Sequence, residues 1–116
     1  MATLSARNGT IAVRFTRIEK ILGLLRDHHY PLSAVLSVTV EPDGLPAVRG
    51  LRAPGLGLPG VAKIGTFYGS DGKTLASVTR GRGAVIVRLV GVKFDRLVIG
   101  ADDPRGCAQE LNAARR

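Results

Sequence analysis

The chain has 116 residues, 45% of them hydrophobic, which favours one folded domain and excludes a wholly disordered protein. Its formal net charge of +8 points to an anionic partner, such as nucleic acid, an anionic membrane or an acidic protein. An arginine-rich composition from a GC-rich genome would give the same charge without a binding role. The single cysteine excludes an internal disulfide and a cysteine metal cluster, and suits a reducing cytoplasm.

Residues 1–9 are predicted to be a flexible N-terminus and residues 10–116 to form a single domain. Met1 is followed by no long apolar stretch, so we expect no signal peptide. No apolar run approaches the about 20 residues that a membrane span needs, and we expect a cytoplasmic protein.

The first predicted elements are a strand and a short helix. Residues 11–15 alternate between apolar and other side chains, which indicates a half-buried strand. The capping-box pattern of residues 16–19 then predicts an amphipathic helix from 17 to about 26. His28 and His29 follow in a predicted turn. We expect them to be exposed rather than metal ligands, because adjacent residues of an extended chain point to opposite faces.

Residues 31–41 predict the next strand, with Leu36, Val38 and Val40 toward the core. Residues 49–60 contain two Pro-Gly steps, and we predict a structured loop joining two sheets or two halves of a barrel. Three glycines of this loop formally match a dinucleotide-binding pattern. Pro59 interrupts that pattern and a predicted strand follows in place of the required helix, so we expect no such cofactor, and no other.

The second half of the chain predicts strands separated by glycine-containing turns, at residues 61–68, 73–79, 84–90 and 94–99. Gly69–Gly72 and Arg80–Gly83 would each close a hairpin. Asp103 before Pro104 predicts the start of a C-terminal helix with Cys107, Leu111 and Ala114 on one face. Such spacing is typical of an antiparallel sandwich or barrel.

The sequence offers no catalytic constellation. Cys107 has no adjacent histidine and lies on the apolar face of the predicted helix, so packing explains it. Capping explains Asp103, and no serine lies in a nucleophile-elbow pattern. We therefore predict that the chain is not an enzyme.

The positive charge concentrates between residues 44 and 93, where eight basic residues accompany one acidic residue. The candidate anion-binding patch consists of Arg49, Arg52, Arg80 and Arg82, since forked guanidinium donors grip phosphate or carboxylate. This hypothesis requires their two loops to lie at the same end of the domain. The alternative is that these arginines only keep the protein soluble. Tyr68 is the candidate for stacking on nucleic acid if it lies near Lys63 and Arg80.

Several segments resemble bacterial pleckstrin-homology-like (PH-like) domains, especially small actinobacterial ones. They are the opening strand and short helix, Tyr30–Val35, Arg49–Gly55, Pro59-Gly60, Gly65–Phe67 and Arg96–Pro104. The resemblance spans residues 10–114 and implies a partly open antiparallel barrel whose C-terminal helix plugs one end. It supplies no catalytic residues. It transfers no lipid specificity either, because a predicted helix replaces the basic first hairpin of the lipid-binding members.

Together these observations predict a mainly β, PH-like, partly open antiparallel barrel of about six or seven strands. A short helix in the N-terminal half and a C-terminal capping helix complete it. We expect a non-catalytic module that binds a protein or itself through open sheet edges, with possible oligomers. The alternative is peripheral binding of anionic membrane lipid or, with less support, of nucleic acid through the basic central surface.

Overall fold

The structure is a computed structural model that describes residues 2–17, 27–48, 51–58, 62–69 and 72–115, with only the backbone described for 51–58. The described residues form nine strands and a C-terminal helix. They are β1 (Thr3–Arg7), β2 (Thr10–Arg14), β3 (His28–Pro31), β4 (Val35–Glu41), β5 (Leu51–Leu58), β6 (Ala62–Gly69), β7 (Gly72–Thr79), β8 (Ala84–Leu89), β9 (Arg96–Gly100) and the helix Pro104–Arg115. Two short 3₁₀ helices, Leu32–Ala34 and Leu45–Ala47, precede β4 and β5.

The N-terminus forms a small sheet of order β1-β2-β3, so the predicted flexible segment is wrong over residues 3–7. Asn8 and Gly9 join β1 to β2 with φ of 52° and 75°. Asn-Gly is the sequence signal for a two-residue hairpin turn with both φ values positive, and this signal explains the additional strand. The predicted short helix lies almost wholly in residues 18–26, outside the described residues.

The large sheet has the order β4-β8-β9-β7-β6-β5, in which β7 and β9 are parallel and the other neighbours antiparallel. The turn Arg80–Gly83 therefore does not close the predicted hairpin, because β9 lies between β7 and β8. All five residues of β9 are buried. A strand covered on both faces belongs in the middle of a sheet, which fits this central position.

The predicted loop over 49–60 is wrong for residues 51–58, which form β5 at the edge of the large sheet. The pairing of β5 with β6 shifts register between Arg52 and Gly55, around Pro54. An edge strand with a bulge tolerates proline. Proline has no N–H, and at an edge or in a bulge that N–H is not needed for a hydrogen bond to a neighbouring strand. The remaining residues of the predicted loop, 49–50 and 59–60, lie outside the described part.

The structure partly corrects which residues of β4 are predicted to face the core. Leu36 is 58% exposed, whereas Val38 and Val40 are half-buried against the core. The register against β8 shifts between Val35 and Ser37, which turns Val35 inward and Leu36 outward. One extra residue in a strand reverses the facing of every residue before it.

The main core lies between one face of the large sheet, the small sheet and the C-terminal helix. Its fully buried side chains include Ile11, Val13, Leu75, Val87, Leu97 and Leu111. A second cluster lies on the opposite face of the large sheet, where Val48 covers Ala76, Val78, Ile86 and Val98. The connection from β4 to β5 crosses this face. The chain is thus mainly β, with two sheets and a C-terminal helix, and its described strands number nine rather than about six or seven and form no closed barrel.

The C-terminal helix begins as predicted. The Asp103 carboxylate accepts a hydrogen bond from the Gly106 N–H at 3.1 Å, and Pro104 is the first helical residue. Leu111 is buried and Cys107 half-buried, while Ala114 is exposed, which corrects the predicted apolar face at its last position.

Candidate functional surfaces

The structure does not bring Arg52 together with Arg80 and Arg82. The Arg52 backbone pairs with Phe67, and Phe67 pairs with Thr74 near the start of β7. Arg80 follows the end of β7, six residues further along, which is about 20 Å at the usual rise of a strand. Arg49 and the Arg52 side chain lie outside the described residues.

Carboxylates surround the turn that carries Arg80 and Arg82. One Arg82 guanidinium nitrogen lies 3.4 Å from an Asp102 carboxylate oxygen. The Asp43 carboxylate accepts a hydrogen bond from the Gly81 N–H at 3.1 Å. An anion bound at this turn would need the same N–H donor. Both arginines are exposed. Acidic residues thus contact Arg82 and the Gly81 N–H within this turn.

Other basic residues of the central segment are engaged within the fold. The Lys63 ammonium donates to the backbone carbonyls of Leu45 and Val48, which ties the β4–β5 connection to the second face of the large sheet. Arg96, which follows this segment at the start of β9, is also buried, with 8% of its surface exposed. Among the described central basic residues, Arg88 and Lys93 are exposed, in addition to the two turn arginines. Those basic residues of the stretch whose side chains the structure describes do not form one basic surface.

Tyr68 lies apart from Lys63 and Arg80 along the strands. Its ring is 46% exposed and the Lys73 ammonium lies 5.5 Å from its centroid. Lys63 pairs with Val78 and so lies toward the other end of the strands, beside Arg80. The condition for stacking at Tyr68, proximity to Lys63 and Arg80, is therefore not met.

The two histidines lie in β3 rather than in a turn. His28 is half-buried, its Nδ1 lies 3.2 Å from the Tyr30 hydroxyl, and its ring meets Phe94 edge-on at 5.2 Å between centroids. Burial raises the pKa of Tyr30 to about 12. His29 points to the opposite face and is exposed, as the alternation of a strand requires.

The neighbourhood of Cys107 opposes nucleophilic chemistry. Its thiol lies 3.9 Å from the Leu4 carbonyl oxygen, and the residue is half-buried. Burial raises the pKa of the thiol, and the Glu110 and Asp103 carboxylates raise it further. Catalytic cysteines need the opposite shift, because the thiolate is the reactive form.

A cleft lies over the outer face of the small sheet, where β1, β2 and β3 present alternate side chains. Its volume is about 550 Å³, and it is lined by Ser5, Ala6, Arg7, Asn8, Thr10, Ala12, Arg14, His29 and Glu110. A flexible N-terminus would form no β1 and therefore no such cleft. The Asn-Gly turn at residues 8 and 9 was the signal that could have revealed it.

Exposed apolar side chains mark one edge of the large sheet. Leu36 is 58% exposed and Val90 is 54% exposed. The Val90 N–H donates to the Ala34 carbonyl at 2.9 Å, which places Val90 opposite the residues that precede Leu36. Within the described residues β4 pairs only with β8, and Arg115 donates to the Leu36 carbonyl.

No protein-family model, curated protein or solved structure matches this chain. In the part of the chain that the structure describes, no helix has the length and apolar character to cross a membrane. Over the same residues, no three or more histidine, cysteine or acidic side chains group together in a way that could hold a metal ion.

Proposed function

We propose that this chain is a non-catalytic cytoplasmic binding module that associates with a second copy of itself through the β4 edge of the large sheet. The observation that carries the proposal is an edge strand flanked by the exposed Leu36 and Val90. An edge strand presents unpaired N–H and C=O groups that another strand can join. Burying two exposed aliphatic side chains at the same contact adds a favourable hydrophobic contribution.

The other edges are less suited to strand addition. Strand β5 carries Pro54 and a register shift, both of which interrupt a continuous ladder. Strand β3 has four residues and ends in Pro31, and β1 has five residues against seven in β4. In β4 the register shift lies at its start, so Ser37–Glu41 remains a regular stretch with matched pairing to β8.

A PH-like domain is part of the same proposal. Two sheets, a helix at the C-terminus and the motifs of the sequence support it. The parallel pair β7 and β9 departs from an all-antiparallel barrel, and the relation therefore rests chiefly on the motifs. The functional proposal depends on the β4 edge and not on this relation.

The test is the oligomeric state, measured by size-exclusion chromatography with light scattering over a wide concentration range. We expect the unmodified protein to form a dimer that dissociates on dilution. Leu36→Lys places a charge at the edge and should give a monomer. Tyr68→Lys adds the same charge at another exposed position and should leave the dimer intact.

A monomer at every concentration would contradict the proposal, as would equal effects of the two lysine variants. Binding to anionic vesicles or oligonucleotides by a monomer would instead favour the alternative function. Such charge-driven binding must weaken steeply as the salt concentration rises, so it is measured at two salt concentrations.

A further inference from the structure

We propose that the cleft over the small sheet binds a small phosphomonoester. We call it the Arg7–Arg14 cleft, after the two arginines that line it. Its volume of about 550 Å³ falls within the range of about 300–1,000 Å³ usual for small-molecule sites. The site lies on strands β1 to β3 and is separate from the β4 edge, so neither proposal depends on the other.

The register of the hairpin places the two arginines at opposite ends of one face. Arg14 pairs with Thr3, and Arg7 pairs with Thr10. Directly paired residues lie on the same face of a sheet, and so do residues two apart along one strand. Both arginines therefore lie on the outer face of the small sheet. Their rows are four residues apart along β1, which is about 13 Å.

Residues with small side chains lie between the two arginines. Ser5 pairs with Ala12, and Ala12 pairs with His29, so this row forms the floor of the cleft with the exposed imidazole at one side. A floor of serine and alanine leaves room for a ligand. Two long cationic side chains bound that room at its ends.

The two arginines have donors to offer a ligand. Within the described part of the chain, neither Arg7 nor Arg14 makes an ion pair or a side-chain hydrogen bond, in contrast to Lys63 and Arg82 of the central segment. A guanidinium group carries five N–H donors in a planar fork that matches the oxygens of a phosphate group. Hydroxyl groups of Ser5 and Thr10 supply neutral donors to the same oxygens.

The carboxylate of Glu110 sets a second requirement on the ligand. Glu110 comes from the C-terminal helix and lines the same cleft. A carboxylate repels a second anionic group and accepts a hydrogen bond from a hydroxyl or an amine. A phosphomonoester that also carries such a donor, free in solution or as a lipid headgroup, satisfies both the arginines and Glu110.

The test is a titration of the ¹⁵N-labelled protein with glycerol phosphate at low salt, followed by amide chemical shifts. We expect saturable shifts in the strands that carry Arg7, Arg14 and His29. The double variant R7A/R14A should lose affinity by about tenfold or more, since each charge-assisted hydrogen bond contributes substantially. R80A/R82A removes the same charge from an exposed turn and should bind as the unmodified protein does.

Two further variant pairs separate a site from net charge and from misfolding. R7K/R14K keeps the charge but loses the forked donors, so its affinity should lie between those of the unmodified protein and R7A/R14A. Glu110→Gln removes the carboxylate that accepts from the hydroxyl group of the ligand, so it should lower the preference for glycerol phosphate over inorganic phosphate. Glu41→Gln changes an exposed carboxylate on β4 and should leave this preference unchanged. Each variant is checked for a native amide spectrum.

Vesicles of phosphatidylcholine with phosphatidic acid distinguish the two sources of the ligand. Saturable binding of glycerol phosphate without vesicle binding indicates a soluble ligand, and vesicle binding that R7A/R14A abolishes indicates a headgroup. Absence of both kinds of binding would overturn the proposal. Equal losses in R7A/R14A and R80A/R82A would overturn it as well, since general electrostatic attraction would then explain the result.

Discussion

Gly44 offers a sharp test of how the β4–β5 connection lies on the large sheet. Gly44 is buried, and its N–H donates to the Arg82 carbonyl at 3.0 Å. A Cβ added at Gly44 would lie 2.7 Å from the Ala84 Cβ and 2.9 Å from the Val78 Cγ1. The φ of Gly44 is −73°, which alanine adopts without strain, so the effect of Gly44→Ala comes from the lack of space.

Two opposing contributions set the magnitude for Gly44→Ala. Overpacking of a well-packed site costs about 1–3 kcal/mol. Reduced backbone freedom of the unfolded chain returns about 0.4–1 kcal/mol. We therefore expect the free energy of unfolding to fall by about 1–2 kcal/mol, with a melting temperature lower by about 4–8 °C in a domain of this size.

Equilibrium urea unfolding of a double-mutant cycle measures this prediction. Ala84→Gly removes the methyl group that the new Cβ would meet first, at a cost of about 0.5–1 kcal/mol in a strand. The double variant G44A/A84G should then be more stable than the sum of the single effects predicts, because the two methyl groups compete for one space. A G44A protein as stable as the unmodified one, or strict additivity, would refute the described packing of this connection.

Other predictions concern the helix, a buried phenol and the thiol. Leu111→Ala should lower the free energy of unfolding by about 2–5 kcal/mol in urea titrations, because the side chain is fully buried in the main core. Burial raises the pKa of Tyr30 from 10.0 to about 12, so stability is full below pH 10 and falls as the pH rises through this window. Tyr30→Phe should remove that fall in unfolding curves at alkaline pH, and an unchanged pH dependence would contradict the assignment. The raised pKa and partial burial of Cys107 should make its alkylation at mildly alkaline pH slower in the folded protein than in urea, and equal rates would contradict this.

Local sequence patterns predicted the positions of the strands well, but they predicted poorly which strands lie next to each other in the sheet. The alternation in β2 and the glycine turns around β6 and β7 depend on nearby residues, and the structure confirms those strands. The insertion of β9 between β7 and β8 depends on contacts between distant residues, which no turn signal encodes. Strand β9 takes this central position because it is buried on both faces, and the apolar run of residues 97–99 is the feature of the sequence that indicates this burial.

Two segments show how glycine and proline mislead when position in the sheet is unknown. The Pro-Gly content of residues 49–60 excludes a helix but not a strand, since β5 accommodates Pro54 at an edge of the sheet and next to a register shift. At the N-terminus, Asn8 and Gly9 are a hairpin signal that predicts two strands where a flexible segment was expected. Both errors removed strands from the predicted sheets.

The same limitation governed the candidate site. Counting charge along the chain selected the central segment, but folding places its basic residues at different ends of the sheet. Internal contacts engage several of them, as with Lys63 and Arg82. The nearly balanced N-terminal segment supplies Arg7 and Arg14, which the hairpin brings to one face with their donors unengaged.

The number of unengaged cations on one concave face is therefore a better guide to an anion site here than net charge. R7A/R14A and R80A/R82A change the net charge equally, so the total electrostatic attraction of the protein falls by the same amount in both. Only the geometry of the site differs between them, since Arg80 and Arg82 sit among the carboxylates of Asp43 and Asp102. A difference in ligand affinity between these two proteins would thus report on placement alone.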